Sequence, residues 1–289
     1  MKVDGLKIAV SGASGFVGRH VVRELLRLGS SVIVIGRNCA KFEEFEGRVS
    51  IVECDIGEVI NDSFNCLGRP DVLIHLAWDG LPNYKSSHHF DTELTNQYRF
   101  LKGLVSGGLK SLVVTGTCFE YGLQDGLLSE DMICKPDNPY GFAKDCLRKS
   151  LEFLKGEHEF DFVWARLFYL FGEGQASSAL IPQLEKAIET KQESFNMSGG
   201  EQLRDFVSVV EVAKVLVDLA LDREDLGVLN ICSGTPRSVR GVVEKVLLEN
   251  DWKIDLNLGF YPYPDYEPFA FWGDRRKLDA YLDLAANTE

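Results

Sequence analysis

The first half of the chain alternates between two hydrophobic periods. Leu6–Val10, Ser31–Ile35, Arg48–Glu53, Asp71–Leu76 and Lys110–Thr115 are short runs rich in apolar residues. Continuous runs of this kind suit strands buried on both faces of a parallel sheet. Between them lie helical repeats. The segment Phe16–Leu28 has apolar residues at 16, 17, 21, 22, 25, 26 and 28, and Asp91–Val105 carries Leu94, Tyr98, Leu101 and Val105. Asn138–Leu154 is predicted to be a further helix and Phe160–Phe168 a further strand. Strand–helix alternation predicts an α/β fold with a doubly wound parallel sheet.

The pattern changes after Phe168. Gly172–Gln175 is predicted to be a loop. Ala179–Thr190, Glu211–Leu221 and Val239–Leu248 are predicted helices, the last following a turn at Gly234–Pro236. The aromatic, proline-rich segment Tyr261–Pro268 is predicted to be irregular. Residues 1–168 are therefore expected to form a dinucleotide-binding domain. Residues 169–289 are expected to form a smaller lobe, with some chain returning to the first. There is no internal repeat.

Composition narrows the possible roles. Of 289 residues, 45% are hydrophobic and 26% charged, which is ordinary for a globular chain. Lys and Arg number 31 against 44 Asp and Glu, a net charge of −13. Such a chain repels phosphate backbones and anionic lipid, so neither nucleic acid nor membrane is expected as a partner. The seven cysteines are odd in number and contain no C-x-x-C pair. That argues against a disulfide framework or a structural zinc site, and no metal is expected. The opening Met1–Lys7 leads into an apolar stretch too short for a signal peptide or a membrane span. A cytoplasmic protein with reduced thiols is expected.

The first strand runs into Ser11-Gly12-Ala13-Ser14-Gly15-Phe16-Val17-Gly18. Gly12 permits a tight turn, Gly15 lets the backbone approach a pyrophosphate, and Gly18 lets the helix pack on the strand. The helix N-terminus then offers free N–H groups to the anion. Past the second strand, a carboxylate would bind the ribose hydroxyl of NAD(H), whereas Arg suits the extra phosphate of NADP(H). Here Arg37-Asn38 follows Gly36 and no acid is present. NADP(H) preference is expected, with NAD(H) use possible; the alternative is a surface arginine. Asp55-Ile56 follows the third strand, where Asp55 either accepts from adenine or caps a turn. Leu76-Ala77-Trp78 ends the fourth strand, where Trp78 either walls a pocket or packs.

Tyr140 and Lys144 share a helix face at i and i+4. A nearby ammonium stabilises a phenolate and is expected to lower the phenol pKa from about 10. The strand ending at Thr117 brings a hydroxyl to the same edge. Hydroxyl, phenol and amine together suit one carbonyl oxygen beside a nicotinamide.

The glycine motif, Thr117 four residues before Tyr121-Gly122, and Tyr140 with Lys144 together resemble an extended short-chain dehydrogenase/reductase. Arg166–Gly172, Leu180–Pro182, Gln202–Val207 and Asn230–Pro236 resemble its nucleotide-sugar branch. The resemblance implies that Tyr140 is the general acid/base, that Lys144 holds the nicotinamide ribose and tunes Tyr140, and that Thr117 binds the reacting sugar oxygen. Leu167 and Phe168 would lie near the nicotinamide. Trp78, Phe119 and Tyr169 would border the substrate; Leu180, Ile181, Pro182 and Arg204 would contact its nucleotide and diphosphate. Leu180 and Ile181 equally suit core packing. Asn96 would support a water chain or lie solvated. The resemblance also implies a homodimer built on the helices around residues 91–105 and 138–154.

Departures from the family pattern select the reaction. Sugar dehydratases of this family carry Asp-Glu directly after the catalytic Thr; Cys118-Phe119 stands there. Arg37 replaces the acid usual in epimerases, and Tyr169 replaces a common Asn. The expectation is NADPH-dependent reduction of a nucleotide-linked 4-keto-6-deoxyhexose, most like dTDP-4-keto-6-deoxyhexose reductases of surface-polysaccharide synthesis. A nucleotide-sugar 4-epimerase and a non-catalytic NADP sensor are the alternatives.

Overall fold

The computed structural model describes residues 5–286. The N-terminal reading at residues 1–4 lies outside the described residues. Seven parallel strands form the central sheet. They are β1 (Lys7–Ser11), β2 (Ser31–Gly36), β3 (Ser50–Glu53), β4 (Val72–His75), β5 (Ser111–Thr117), β7 (Asp161–Leu167) and β11 (Gly227–Ile231); β6 (Gly126–Leu128) lies outside this sheet. Their order is β11-β7-β5-β4-β1-β2-β3. Ile8 is in register with Val32 on one side and Val72 on the other. The winding reverses between β1 and β4, and ligands bind at the carboxyl ends of strands at such a point.

Each face of the sheet is covered by helices. On one face, α1 (Phe16–Arg27), α6 (Val209–Asp222) and α8 (Arg276–Ala286) meet Ile8 and Val10 through Val21, Leu25, Leu216 and Leu278. On the other, α3 (Leu94–Gly107) and α4 (Pro139–Leu154) meet Ala9 and Leu73 through Leu101, Leu104, Leu147 and Leu151. Alternate residues of β1 thus serve opposite layers, as the period of a strand requires. The four-residue α2 (Ser63–Cys66) precedes β4.

The predicted doubly wound sheet is present, with local differences. The helix expected from Asp91 begins at Leu94, after a π turn over His89–Glu93. β11 was not anticipated, because Asn230 interrupts its short apolar run. It pairs with β7 through Leu229 and Ala165, so chain from the second half completes the sheet.

The remaining strands are β8 (Tyr169–Phe171), β9 (Ser194–Asn196), β10 (Leu203–Ser208), β12 (Pro236–Ser238), β13 (Asp255–Asn257) and β14 (Phe271–Gly273). They form a three-stranded sheet β12-β10-β8 and two pairs, β13-β9 and β14-β6. Helices α5 (Leu180–Glu189) and α7 (Val239–Glu249) enclose a separate core of Leu184, Ala187, Phe195, Met197 and Val243. The segment Tyr261–Pro268 is irregular, as its prolines predict. All seven cysteines are free thiols. Among the described residues, no helix is long and apolar enough to cross a membrane.

Candidate active site

A cavity of about 770 Å³ runs from the carboxyl edge of the large sheet into the smaller elements. That volume suits an organic ligand of considerable size. Its floor begins at the turn between β1 and α1, where Gly12, Gly15, Phe16, Val17 and Gly18 line it. Gly12 has φ +70°, and a Cβ there would lie 2.7 Å from the Ala77 nitrogen. A Cβ on Gly18 would lie 2.2 Å from the Gly12 carbonyl oxygen. The N-cap residue of α1, Gly15, makes no side-chain cap, so the first N–H groups of α1 are open towards the cavity. This glycine cradle and helix end fit a dinucleotide pyrophosphate.

Tyr140 and Lys144 project from α4 into the same cavity. Asn138 starts this helix, its side chain accepting from the Gly141 N–H at 2.9 Å, and Pro139 occupies the first turn. The Lys144 ammonium donates to the Thr115 carbonyl at 2.8 Å and lies 4.1 Å from the centre of the Trp78 ring. Burial pulls Lys144 down to about 7, against the opposing pull of Glu120 and Glu93. Burial also pushes the Tyr140 phenol above its ordinary value, helped by Tyr84, Glu120 and Cys118, while the Thr117 hydroxyl opposes. The expected lowering of Tyr140 by Lys144 is therefore overridden by burial, since a low-dielectric site penalises phenolate first.

Thr117 and Glu120 brace the turn after β5. Glu120 accepts from the Thr117 N–H at 2.8 Å and from the Trp164 indole at 2.9 Å. Arg166 Nε lies 2.6 Å from the same buried carboxylate and neutralises it. Glu120, Cys134 and Asp145 cluster closely enough to suggest a metal centre, but Arg166 donates to both Glu120 and Cys134. A guanidinium already supplies the cation there.

Trp78, Phe119, Leu76, Leu167, Phe168 and Tyr169 also line the cavity, as do Thr117 and Leu180. Ser14, Arg37, Asn38, Asp55, Ile56, Ala77, Ile181 and Pro182 stand outside the lining residues. Asn38 accepts from the Ala40 N–H, and Asp55 accepts from the Gly57 N–H at 2.8 Å, so both serve local turns. Arg37 is 64% exposed past β2, with its guanidinium 3.7 Å from the Asp79 carboxylate. Asn96 accepts from Arg99 at 3.0 Å. Leu180 packs against the α5–α7 core while also facing the cavity.

Arg204 lines the cavity with its guanidinium occupied. Nε and Nη2 donate to Glu267 at 2.9 and 2.6 Å, and Nη1 donates to the carbonyls of Leu203 and Phe269. Sequence reading missed Glu267, together with Tyr84 and Tyr266. Tyr84 stacks near Phe119, Tyr140 and Tyr266, with centroids 4.8, 5.7 and 6.0 Å away. The repeated aromatics of Tyr261–Pro268 were the available signal, but nothing local shows which loop they meet.

A glycine cradle at the winding reversal, beside a buried tyrosine and lysine one helical turn apart, defines a dinucleotide-dependent enzyme on a doubly wound sheet. Residues 8–232 match the NAD dependent epimerase/dehydratase family, and the chain belongs to it. Its chemistry is of the NAD-dependent oxidoreductase or epimerase kind. The dTDP-6-deoxy-L-talose 4-dehydrogenase (NAD(+)) of Aggregatibacter actinomycetemcomitans is 30% identical over 270 residues, covering 93% of this chain and 99% of that protein. The GDP-6-deoxy-D-talose 4-dehydrogenase of the same organism is 28% identical over 240 residues, covering 81% and 76%. Among solved structures, MoeE5 in complex with UDP-glucuronic acid and NAD superposes with a TM-score of 0.81 at 28% identity, covering 96% of this chain and 92% of that one.

Proposed function

We propose that this protein reduces the 4-keto group of a nucleotide-activated 6-deoxyhexose, with NADPH as the hydride source and a dTDP-linked sugar as the favoured substrate. It is a nucleotide-sugar-modifying enzyme on this reading, acting in deoxysugar synthesis in the cytoplasm as a homodimer. The observation that carries the reading is the setting of Tyr140. Its side chain is buried and faces the cavity beside Lys144 and Thr117. A phenol at the reacting end, with a hydroxyl and an amine beside it, can give its proton to the oxygen of a ketone under reduction.

The Gly12, Gly15 and Gly18 cradle and Lys144 would hold a dinucleotide whose nicotinamide would supply the hydride to the carbonyl carbon. Tyr140 delivers its proton to the carbonyl oxygen, and the Thr117 hydroxyl orients that oxygen. Lys144, anchored on the Thr115 carbonyl, keeps further N–H bonds for the ribose and the phenol. Trp78, Tyr84, Phe119 and Tyr140 surround the reacting end with aromatic surface. Such a wall favours a methyl substituent over a charged one, as a 6-deoxy sugar requires. Cys118 and Phe119 offer no acid–base pair for eliminating water, and burial pushes the Cys118 thiol up and keeps it protonated. Two relatives named as 4-dehydrogenases of 6-deoxytalose nucleotides support redox chemistry at this carbon. Arg37, where the chain after β2 carries no carboxylate for a ribose hydroxyl, supports NADPH over NADH.

The purified protein should consume NADPH when given dTDP-4-keto-6-deoxyglucose, read as loss of near-ultraviolet absorbance. Tyr140→Phe should lower kcat by about 10²- to 10⁴-fold while leaving dinucleotide binding intact. Interconversion of 4-hydroxy epimers without net cofactor oxidation would instead establish a 4-epimerase. No consumption with any nucleotide 4-ketosugar would refute the reduction.

A further inference from the structure

The family resemblance explains why a lysine stands next to Tyr140, but not what stabilises the charged form of that lysine in its buried setting. Lys144 is 2% exposed. A buried ammonium needs compensation. Its hydrogen bond to the Thr115 carbonyl satisfies one N–H. The second compensation is the indole of Trp78, whose centroid lies 4.1 Å from Nζ. A desolvated cation over an indole face is held by the ring quadrupole.

Trp78 is itself gripped. Its indole N–H donates to Nδ1 of His89 at 3.0 Å. The other ring nitrogen of His89 lies 2.9 Å from the Asn83 carbonyl oxygen. Nδ1 therefore accepts and Nε2–H donates, which fixes a neutral tautomer. The His89 side chain is fully buried at the start of the π turn before α3. Its ring also lies 5.3 Å from that of Tyr140, and the Trp78 ring meets Tyr140 edge-on at 5.9 Å. The chain Asn83–His89–Trp78–Lys144 thus runs from an exposed loop to the reacting end.

We propose that Trp78, locked in orientation by His89, is a positioning residue that stabilises the charged form of the Lys144 amine and aims it at the reacting end of the cavity. This rests on the functional reading above only where activity is measured. The charged and titratable groups facing Lys144 are Glu120 from the turn after β5, Glu93 before α3 and His75 at the end of β4, with Tyr140 on its own helix. Those facing His89 are Tyr140 and the neighbouring His88, which in turn approaches Asp79 and Glu93. All of these remain when Trp78 is changed.

The two possible roles of Trp78 shift Lys144 in opposite directions. If the indole only fills space, its removal admits water and the lysine pKa rises towards its ordinary value. If the indole face stabilises the ammonium, removal lowers the pKa. Carbon-13 NMR of the lysine ε-carbons in the full-length protein, with Lys144→Met assigning the resonance, reads this without substrate. Trp78→Leu should lower the Lys144 pKa by about one unit. Trp78→Phe, with its weaker quadrupole, should lower it less. His89→Leu should give a partial fall that His89→Gln restores, because the glutamine carbonyl accepts from the indole. An unchanged or raised pKa in Trp78→Leu overturns the proposal. If that variant does not fold, an unshifted Lys144 in both Trp78→Phe and His89→Leu overturns it equally. Where the ketone reduction is measurable, the alkaline limb of kcat/KM should move down by the same amount.

Discussion

Arg204 and Glu267 form an ion pair 2.6 Å apart, with their side chains 3% and 9% exposed. The pair ties the strap Tyr261–Pro268 to β10 at the cavity wall. Breaking one half of a buried pair strands the other charge. Glu267→Gln should therefore cost about 3 kcal/mol of unfolding free energy, read by urea denaturation. Replacing both partners, as in Arg204→Met with Glu267→Leu, should recover much of that loss. A Glu267→Gln protein as stable as the parent would show that the pair contributes little.

The glycine cradle predicts a steric effect separable from charge. A Cβ at Gly18 would meet the backbone of Gly12 and Ala13 at 2.2 and 2.7 Å. Backbone atoms cannot rotate away, so Gly18→Ala should push α1 off the turn and cost about 1–3 kcal/mol. Dinucleotide affinity, measured by fluorescence titration of NADPH, should fall with it. Undiminished binding and stability would mean that the turn relaxes freely.

Arg37 decides the cofactor preference if any residue after β2 does. Its guanidinium is exposed and only loosely associated with Asp79. Arg37→Ala should raise the KM for NADPH by about 10- to 100-fold, the worth of charged hydrogen bonds, and leave that for NADH nearly unchanged. An equal change in both would remove the preference for the phosphorylated dinucleotide.

His75 predicts an acid limb of stability. It is fully buried, with Nδ1 2.8 Å from the Ser11 hydroxyl, and burial followed by the charge on Lys144 pulls it down to about 3. Between about 3 and 6.5 the unfolded chain binds a proton that the folded chain refuses. Stability thus rises with pH across that window, with a slope of up to about 1.4 kcal/mol per pH unit from this group. Lys144, held at about 7, acts with the same sign between there and its ordinary value near 10.5. His75→Gln should flatten the lower window in thermal denaturation; an unaltered slope would contradict it.

The periodicity of the chain was enough to reveal the parallel sheet, the α1 turn with its glycines, and Tyr140 one helical turn from Lys144. These features depend on spacing within one element, where apolar positions report which face is buried. Three matters were settled only by folding. Asn230 in β11 hid a strand that pairs with β7 from more than sixty residues away. Arg204, readable as a phosphate ligand, proved to be satisfied by Glu267, sixty-three residues further on. Tyr140 is raised rather than lowered, because enclosure by Tyr84, Phe119 and Trp78 removes water from the phenol. Local pattern determines which residues turn inward; the long-range neighbours that share their dielectric and compete for their hydrogen bonds exist only once distant segments have packed.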